Sequence, residues 1–250
     1  MVENPLTSVG WSSRIGLMPG RRIYAVGDVH GHLERLERVH AAIRVDLARR
    51  PARNPMLVHL GDLIDRGPDS AGCIALLASG PPIPGVSTVN LAGNHEWMML
   101  AALDRGRRSD EADQWLDSGG AEALRSWGVR TSAAPRDWMA GIPARHLVFL
   151  RSLRSSLVED GYVFVHAGVR PGVPLARQRE KDLLWIRSEF LPWDGVMLPE
   201  APELVVVHGH TPTPAAVLKS NRVGLDTGAG KGGPLTCGVF EGMGLHLFQG

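Results

Sequence analysis

Three times in the first hundred residues a short apolar run ends in a glycine and a polar residue, and an amphipathic stretch follows it. Arg22 to Val26 ends in Gly27-Asp28, after which Leu33, Leu36, Val39, Ile43 and Leu47 recur at the spacing of a helix with one buried face. Met56 to Leu60 ends in Gly61-Asp62 and leads to a helix over Ser70 to Ser79. Val86 to Leu91 ends in Gly93-Asn94 and leads to a helix from His95 to about Leu103. Buried strands alternating with helices predict an α/β fold, in which ligands bind at the C-terminal edge of the strands.

The pattern changes between Asp104 and Arg154. This stretch carries Trp115, Trp127 and Trp138 and shows helical periodicity from Trp138 to Leu153. It predicts a helical excursion packed on the sheet, with the tryptophans as core anchors. From Ser156 the pattern becomes β-like: Tyr162 to Val165, Leu204 to Val207, Ala215 to Leu218, Arg222 to Leu225, Leu235 to Phe240 and Leu245 to Phe248. Short runs separated by Gly and Pro predict a second, largely antiparallel sheet packed on the first. The expected organisation is an N-terminal extension (1–20) and one domain (21–250) that contains the excursion (104–154).

Composition narrows the class. A chain of 250 residues with 44% hydrophobic and 21% charged content can bury a full core. A net charge of +1 gives no field for nucleic acid or for an anionic membrane, and neither is expected as a partner. Self-association has no signal, so a monomer is favoured. Two cysteines, Cys73 and Cys237, form no disulfide framework and fit a reducing compartment. Residues 1–20 lack the continuous apolar core of a signal peptide, and no run approaches the roughly 18 apolar residues of a membrane span. A soluble, cytoplasmic protein is expected.

The candidate chemistry sits at the strand ends. Asp28 and His30, two residues apart beyond a strand, can point at one cation; Asp62 follows the second strand, and its two oxygens can bridge two. Asn94 offers a neutral oxygen, His166 closes Val163 to Val165, and His210 follows Val205 to Val207. Three imidazoles, two carboxylates and an amide, with no thiolate, suit Mn, Fe or Zn and argue against a structural zinc site. Any one of these residues alone reads as a cap or a satisfied loop residue. Six at successive strand ends read as a metal centre. His59 reads as core or sheet surface, His40, His146 and His246 as surface or packing residues, and His32 and His208 as bystanders near the site.

Six motifs, in order, carry a resemblance. They are Gly27-Asp-Val-His-Gly31, Gly61-Asp-Leu-Ile-Asp-Arg-Gly67, Gly93-Asn-His-Glu96, His166-Ala-Gly168, Gly209-His-Thr-Pro212 and Asp226-Thr-Gly-Ala229. From about Ile23 to Phe248 the chain resembles the phosphoprotein phosphatase family within the calcineurin-like metallophosphoesterases, and its small bacterial and phage members most. The resemblance implies a four-layer αββα sandwich of two mixed β-sheets with a helical insertion. It implies two divalent metal ions, Mn first, with Fe or Zn as alternatives. Asp28, His30 and Asp62 would hold one, and Asp62, Asn94, His166 and His210 the other, with Asp62 bridging.

A mechanism follows. Cations about 3.5–4 Å apart acidify a bridging water and hold a phosphoryl oxygen for in-line attack. His95, beside Asn94, is placed to protonate the leaving alkoxide, with Asp65 orienting its ring. Arg66 supplies a planar donor for phosphate oxygens, and Leu183-Leu-Trp-Ile-Arg187 resembles the family segment with a second such arginine. The competing reading of Arg187 is an ion pair with Glu189 or Asp182. Arg66, Asn94 and Arg187 then face the substrate, a phosphorylated protein or small phosphoester.

The expected activity is that of a bacterial Ser/Thr protein phosphatase. The alternatives are a dinucleoside polyphosphate hydrolase on the same site and a non-catalytic metal-binding scaffold. Asp65-Arg66 and Glu96 favour the phosphatase, because the symmetrical dinucleoside tetraphosphatase pattern has Ala and Asp at those positions. Retention of the acid and of every ligand argues against the scaffold. The run after Asp226 resembles no P-loop and predicts a flexible loop near the metals, with Lys231 equally suited to solvent and to substrate.

Overall fold

The computed structural model describes residues 6–105, 109–133 and 135–250. The chain enters on an edge strand, β1 (Thr7–Ser12), and then builds two parallel crossovers. These are β2 (Arg21–Val26), α1 (Leu33–Arg49), β3 (Arg53–His59), α2 (Ser70–Ala78) and β4 (Ser87–Asn90), followed by α3 (Asn94–Arg105). The excursion folds as α4 (Asp110–Trp115), a kinked turn over Leu116–Gly120, α5 (Ala121–Ser126), α6 (Pro135–Gly141) and α7 (Ala144–Arg151). After it come β5 (Ser156–Glu159), β6 (Tyr162–Val165), α8 (Glu180–Trp185), β7 (Val205–His208), β8 (Val217–Leu218), β9 (Arg222–Gly224), β10 (Thr236–Glu241) and β11 (Gly244–Gln249).

The strands form two mixed sheets, ordered β1-β11-β10-β2-β3-β4 and β5-β6-β7-β9-β8. Their two-residue periodicity divides the core. Ile23, Ala25, Val58 and Leu60 of the first sheet meet Tyr162, Phe164, Val205 and Val207 of the second. The alternate residues Tyr24, Val26 and Leu57 face outward, against Leu36, Val39 and Ile43 of α1, Ile74 of α2 and Met98 of α3. Val163, Val165 and Val206 cover the far side of the second sheet, under Leu183, Ile186 and Phe190. Burial of strands on both faces explains their continuous apolar runs. The fourth layer is thin, since among the described residues α8 is its one α-helix and irregular chain completes it.

Four expectations change. The last two strands do not join the second sheet: β10 pairs antiparallel with β2 (Val239 opposite Tyr24), and β11 pairs with β10, so both extend the first. The second sheet is not largely antiparallel, because β7 runs parallel to β6 and to β9. Thr7–Ser12, within the expected extension, pairs with β11 and completes the sheet edge. The helix expected over Trp138 to Leu153 is two helices, interrupted at Pro143, whose missing N–H suits a helix start. The excursion packs where expected, with Trp115, Trp138 and Leu150 in the core beneath α1 to α3.

Candidate metal and phosphate site

Asp28, Asp62, Asn94, His166 and His210 all follow strands and all are buried, as are His30, His95 and Asp65. The backbone also marks the place. Seven described non-glycine residues have positive φ, and five of them are His30, Asp62, Asp65, Arg66 and His210. Left-handed backbone at non-glycine residues stores strain that folds tend to retain at functional sites. Two motif glycines allow the carboxylates in: a Cβ on Gly93 would lie 2.0 Å from Asp62 Oδ1, and one on Gly209 2.0 Å from Asp28 Oδ1.

Two groups of possible metal-ligand atoms result, His30 with Asp62 and His95, and Asp62 with His166 and His210. Each group lies within 4.8 Å, and Asp62 belongs to both. His166 Nδ1 donates to the Leu60 carbonyl at 2.9 Å, which leaves its Nε2 as a lone pair. That lone pair faces Asn94 Oδ1 at 3.0 Å, His210 Nδ1 at 3.2 Å and Asp62 Oδ1 at 3.3 Å. His30 repeats the device, with Nδ1 on the Ile64 carbonyl at 3.0 Å and Nε2 turned inward, 3.6 Å from Asp62 Oδ2. Buried lone pairs that face one another fit a cation between them, and second-atom bonds to carbonyls are how ligating imidazoles are oriented.

The electrostatics agree. Burial lowers His30 to about 3 and His210 to about 2, and it lowers His166 as well. Burial raises Asp62, but the His166, His95 and His30 rings outweigh it and hold its carboxyl low. Asp28 is pushed well above the usual range by burial and then by the charges of Asp226 and Asp62. Both Asp28 oxygens accept the His210 N–H at 3.0 Å, and Asp28 lies outside the two ligand groups. Three carboxylates this close call for positive charge among them.

His95 stands in a different setting. Its Nδ1 lies 2.6 Å from Asp65 Oδ2, and Asp65 also accepts both branches of the Trp115 indole N–H, at 3.1 and 2.9 Å. Burial disfavours the charged ring, yet Asp62 and Asp65 outweigh it and raise His95. Arg66 reaches both imidazoles, with Nη1 2.8 Å from His30 Nε2 and Nη2 3.0 Å from His95 Nε2. Each bond uses the lone pair that a cation or a proton needs, so Arg66 must turn away for either to enter. Arg187 is exposed, and its charge acts on His210. The competing ion pairs are not formed: Asp182 is held by Arg170 and Arg179, and Glu189 by Arg170.

Glu96 does more than its sequence reading suggested. It is wholly buried, and its oxygens accept the backbone N–H groups of Asp62 (2.9 Å), Leu63 (2.7 Å), Ile64 (3.2 Å) and Gly93 (2.7 Å). Glu96 thus latches the second strand-end loop to the third. Trp115 is a core anchor, as expected, but its hydrogen bond to Asp65 had no local signal. The loop after Asp226 does lie over the site, where a Cβ on Gly230 would come 2.4 Å from His30 Cδ2. It is tied rather than loose: Arg35 donates to the carbonyls of Ala229 and Gly233, and Thr227 Oγ1 donates to Pro234 at 2.7 Å. His40 and His59 are buried and bonded to each other at 3.0 Å.

Comparison with known proteins agrees with this geometry. The family model described as calcineurin-like phosphoesterase matches residues 21–232. The chain is 32% identical to serine/threonine-protein phosphatase 1 of Salmonella typhimurium over 89% of its own length and 94% of that protein's. It is also 32% identical to the symmetrical bis(5'-nucleosyl)-tetraphosphatase of Delftia acidovorans, over 60% of its length and 45% of that protein's. In fold it is similar to a metallophosphoesterase from Sphaerobacter thermophilus, with a TM-score of 0.52, 18% identity, and 92% and 88% of the two chains covered. The chain belongs to the calcineurin-like phosphoesterase family, a family of metal-dependent phosphoester hydrolases.

Proposed function

We propose that the chain is a cytoplasmic, monomeric phosphoprotein phosphatase that acts on phosphoserine and phosphothreonine and uses two divalent cations, Mn first. Asp28, His30 and Asp62 hold one, and Asp62, Asn94, His166 and His210 the other. The cations, when bound, supply charge against the phosphoryl oxygens and an acidified water for in-line attack. Arg66, released from the imidazoles, and Arg187 bind the phosphate oxygens as planar donors. His95 gives the proton on its Nε2 to the departing oxygen, while Asp65 holds the ring at Nδ1.

The observation that carries this reading is the 2.6 Å bond between His95 and Asp65. A serine alkoxide is a poor leaving group and needs a proton as it departs; a nucleoside phosphate leaving an anhydride is already a stable anion. A built proton donor therefore supports monoester hydrolysis over dinucleotide cleavage. The fuller match to serine/threonine-protein phosphatase 1 points the same way.

The test compares initial rates on a phosphoserine peptide, a phosphotyrosine peptide and diadenosine tetraphosphate in Mn(II), with a chelated control. Metal-dependent release from phosphoserine well above the dinucleotide is expected. A strong preference for the dinucleotide would replace the proposal with the dinucleoside polyphosphate hydrolase.

A further inference from the structure

Trp115 lies 50 positions from Asp65 in sequence, on the helical excursion, and its side chain is wholly buried. Its indole N–H is shared between both oxygens of Asp65, at 3.1 and 2.9 Å, while His95 Nδ1 takes Oδ2 at 2.6 Å. A carboxylate gripped at one oxygen can still swing about its terminal torsion, which is broad; a donor astride both oxygens fixes its plane. The next turn of the same excursion holds the neighbouring residue. Arg66 N donates to the Gly119 carbonyl at 3.2 Å, and Arg66 Nε to the Ser118 carbonyl at 3.4 Å.

The fit is close. Gly119 has φ of 110°, and a Cβ there would lie 2.7 Å from Arg66 Cγ; a Cβ on Gly120 would lie 2.5 Å from the Trp115 ring. Asp65 and Arg66 themselves have φ of 74° and 66°, a strained pair that persists only where its surroundings over-determine it. Ser70 Oγ supplies a further hold, on Asp65 N at 2.9 Å.

We propose that Trp115 is a positioning residue of the reaction, fixing the Asp65 carboxylate so that Asp65 in turn aims His95 at the leaving oxygen. This rests on the reading of His95 as proton donor. Trp115 would act through its hydrogen bond to Asp65 rather than on the phosphate. The excursion thereby becomes part of the proton-delivery apparatus, and its Leu116–Gly120 turn registers Asp65 and Arg66 together.

The test uses leaving groups. Trp115→Phe removes the N–H and keeps an aromatic ring. With a phosphoserine peptide, whose alkoxide needs the proton, kcat should fall by about 10-fold, part of what a general acid contributes. With p-nitrophenyl phosphate, whose phenolate needs none, the fall should stay under about 3-fold, with KM and bound metal unchanged. Equal falls on both substrates would overturn the proposal in favour of a purely structural tryptophan.

A second measurement needs neither turnover nor that variant to fold. In Zn(II)-loaded protein, the Trp115 indole 1H–15N resonance, assigned by triple-resonance spectra, should move upfield in Asp65→Ala. An indole that ignores Asp65 would overturn the proposal by itself. Wild-type protein that hydrolyses no phosphomonoester would instead remove the proposed function and the chemical role of Trp115 with it, leaving only the contact.

Discussion

His95 Nδ1 lies 2.6 Å from Asp65 Oδ2, while His95 also falls in a ligand group with His30 and Asp62. The two settings give His95 two possible roles, and His95→Asn separates them. A proton donor contributes roughly 10²–10⁴-fold, so kcat on phosphoserine should drop by at least about 100-fold with metal content unchanged. Metal analysis beside the kinetics decides it. A variant that loses a cation would make His95 a ligand instead.

Glu96→Gln should cost stability, because one amide oxygen cannot serve four N–H groups, and the amide NH₂ would meet donors. Buried donors left unsatisfied cost about 1–3 kcal/mol each. With two stranded, a loss of at least about 2 kcal/mol is expected, or roughly 4–8 °C in Tm for a chain of this size. Calorimetry of wild type and variant checks it; equal midpoints would mean that Glu96 latches nothing.

Arg187→Ala should act on substrate and leave the fold alone, since Arg187 is exposed and has no ion pair among the described residues. Losing a charge-assisted phosphate contact is worth about 1.5–3 kcal/mol, so kcat/KM should fall roughly 10- to 100-fold with Tm unchanged. Unchanged kinetics would place Arg187 outside the phosphate site.

Asp182 gives a pH dependence away from the metals. Hydrogen bonds from Arg170 and then Arg179 lower its carboxyl to about 2, below the unfolded value of roughly 3.9. A depressed folded pKa adds stability that is full above the unfolded value and lost as pH falls through the folded one. Asp182→Asn should therefore be less stable than wild type at pH 7, and the gap should close as pH falls from about 4 toward 2. Urea midpoints across that range check it. A gap constant with pH would show that charge is not what Asp182 contributes.

Local pattern exposed much of the fold and of the site. Asp28, Asp62 and Asn94 each follow a strand, and a strand–Gly–polar pattern is contained within a few residues. What stayed hidden depends on pairing at long range. The alternation in Leu235 to Phe240 identifies a strand, but nothing local says that Val239 will lie beside Tyr24 in the first sheet. Thr7–Ser12 has only Val9 and Trp11 as large apolar residues, and its partner β11 lies at the other end of the chain. Trp115 looked like any buried tryptophan, because its indole meets Asp65 only once the excursion has packed. Pro143 was visible, and its break in the Trp138 to Leu153 helix could have been read from the missing N–H.

The central claim is that phosphate release depends on two cations gathered around Asp62. The most direct measurement titrates Mn(II) into chelator-treated protein, following bound metal by elemental analysis and phosphate release from a phosphoserine peptide together. Release should be absent without metal, rise to a plateau at two cations per chain, and stay at background in Asp62→Asn. Full turnover in the chelated protein, or a plateau at one cation per chain, would contradict the account.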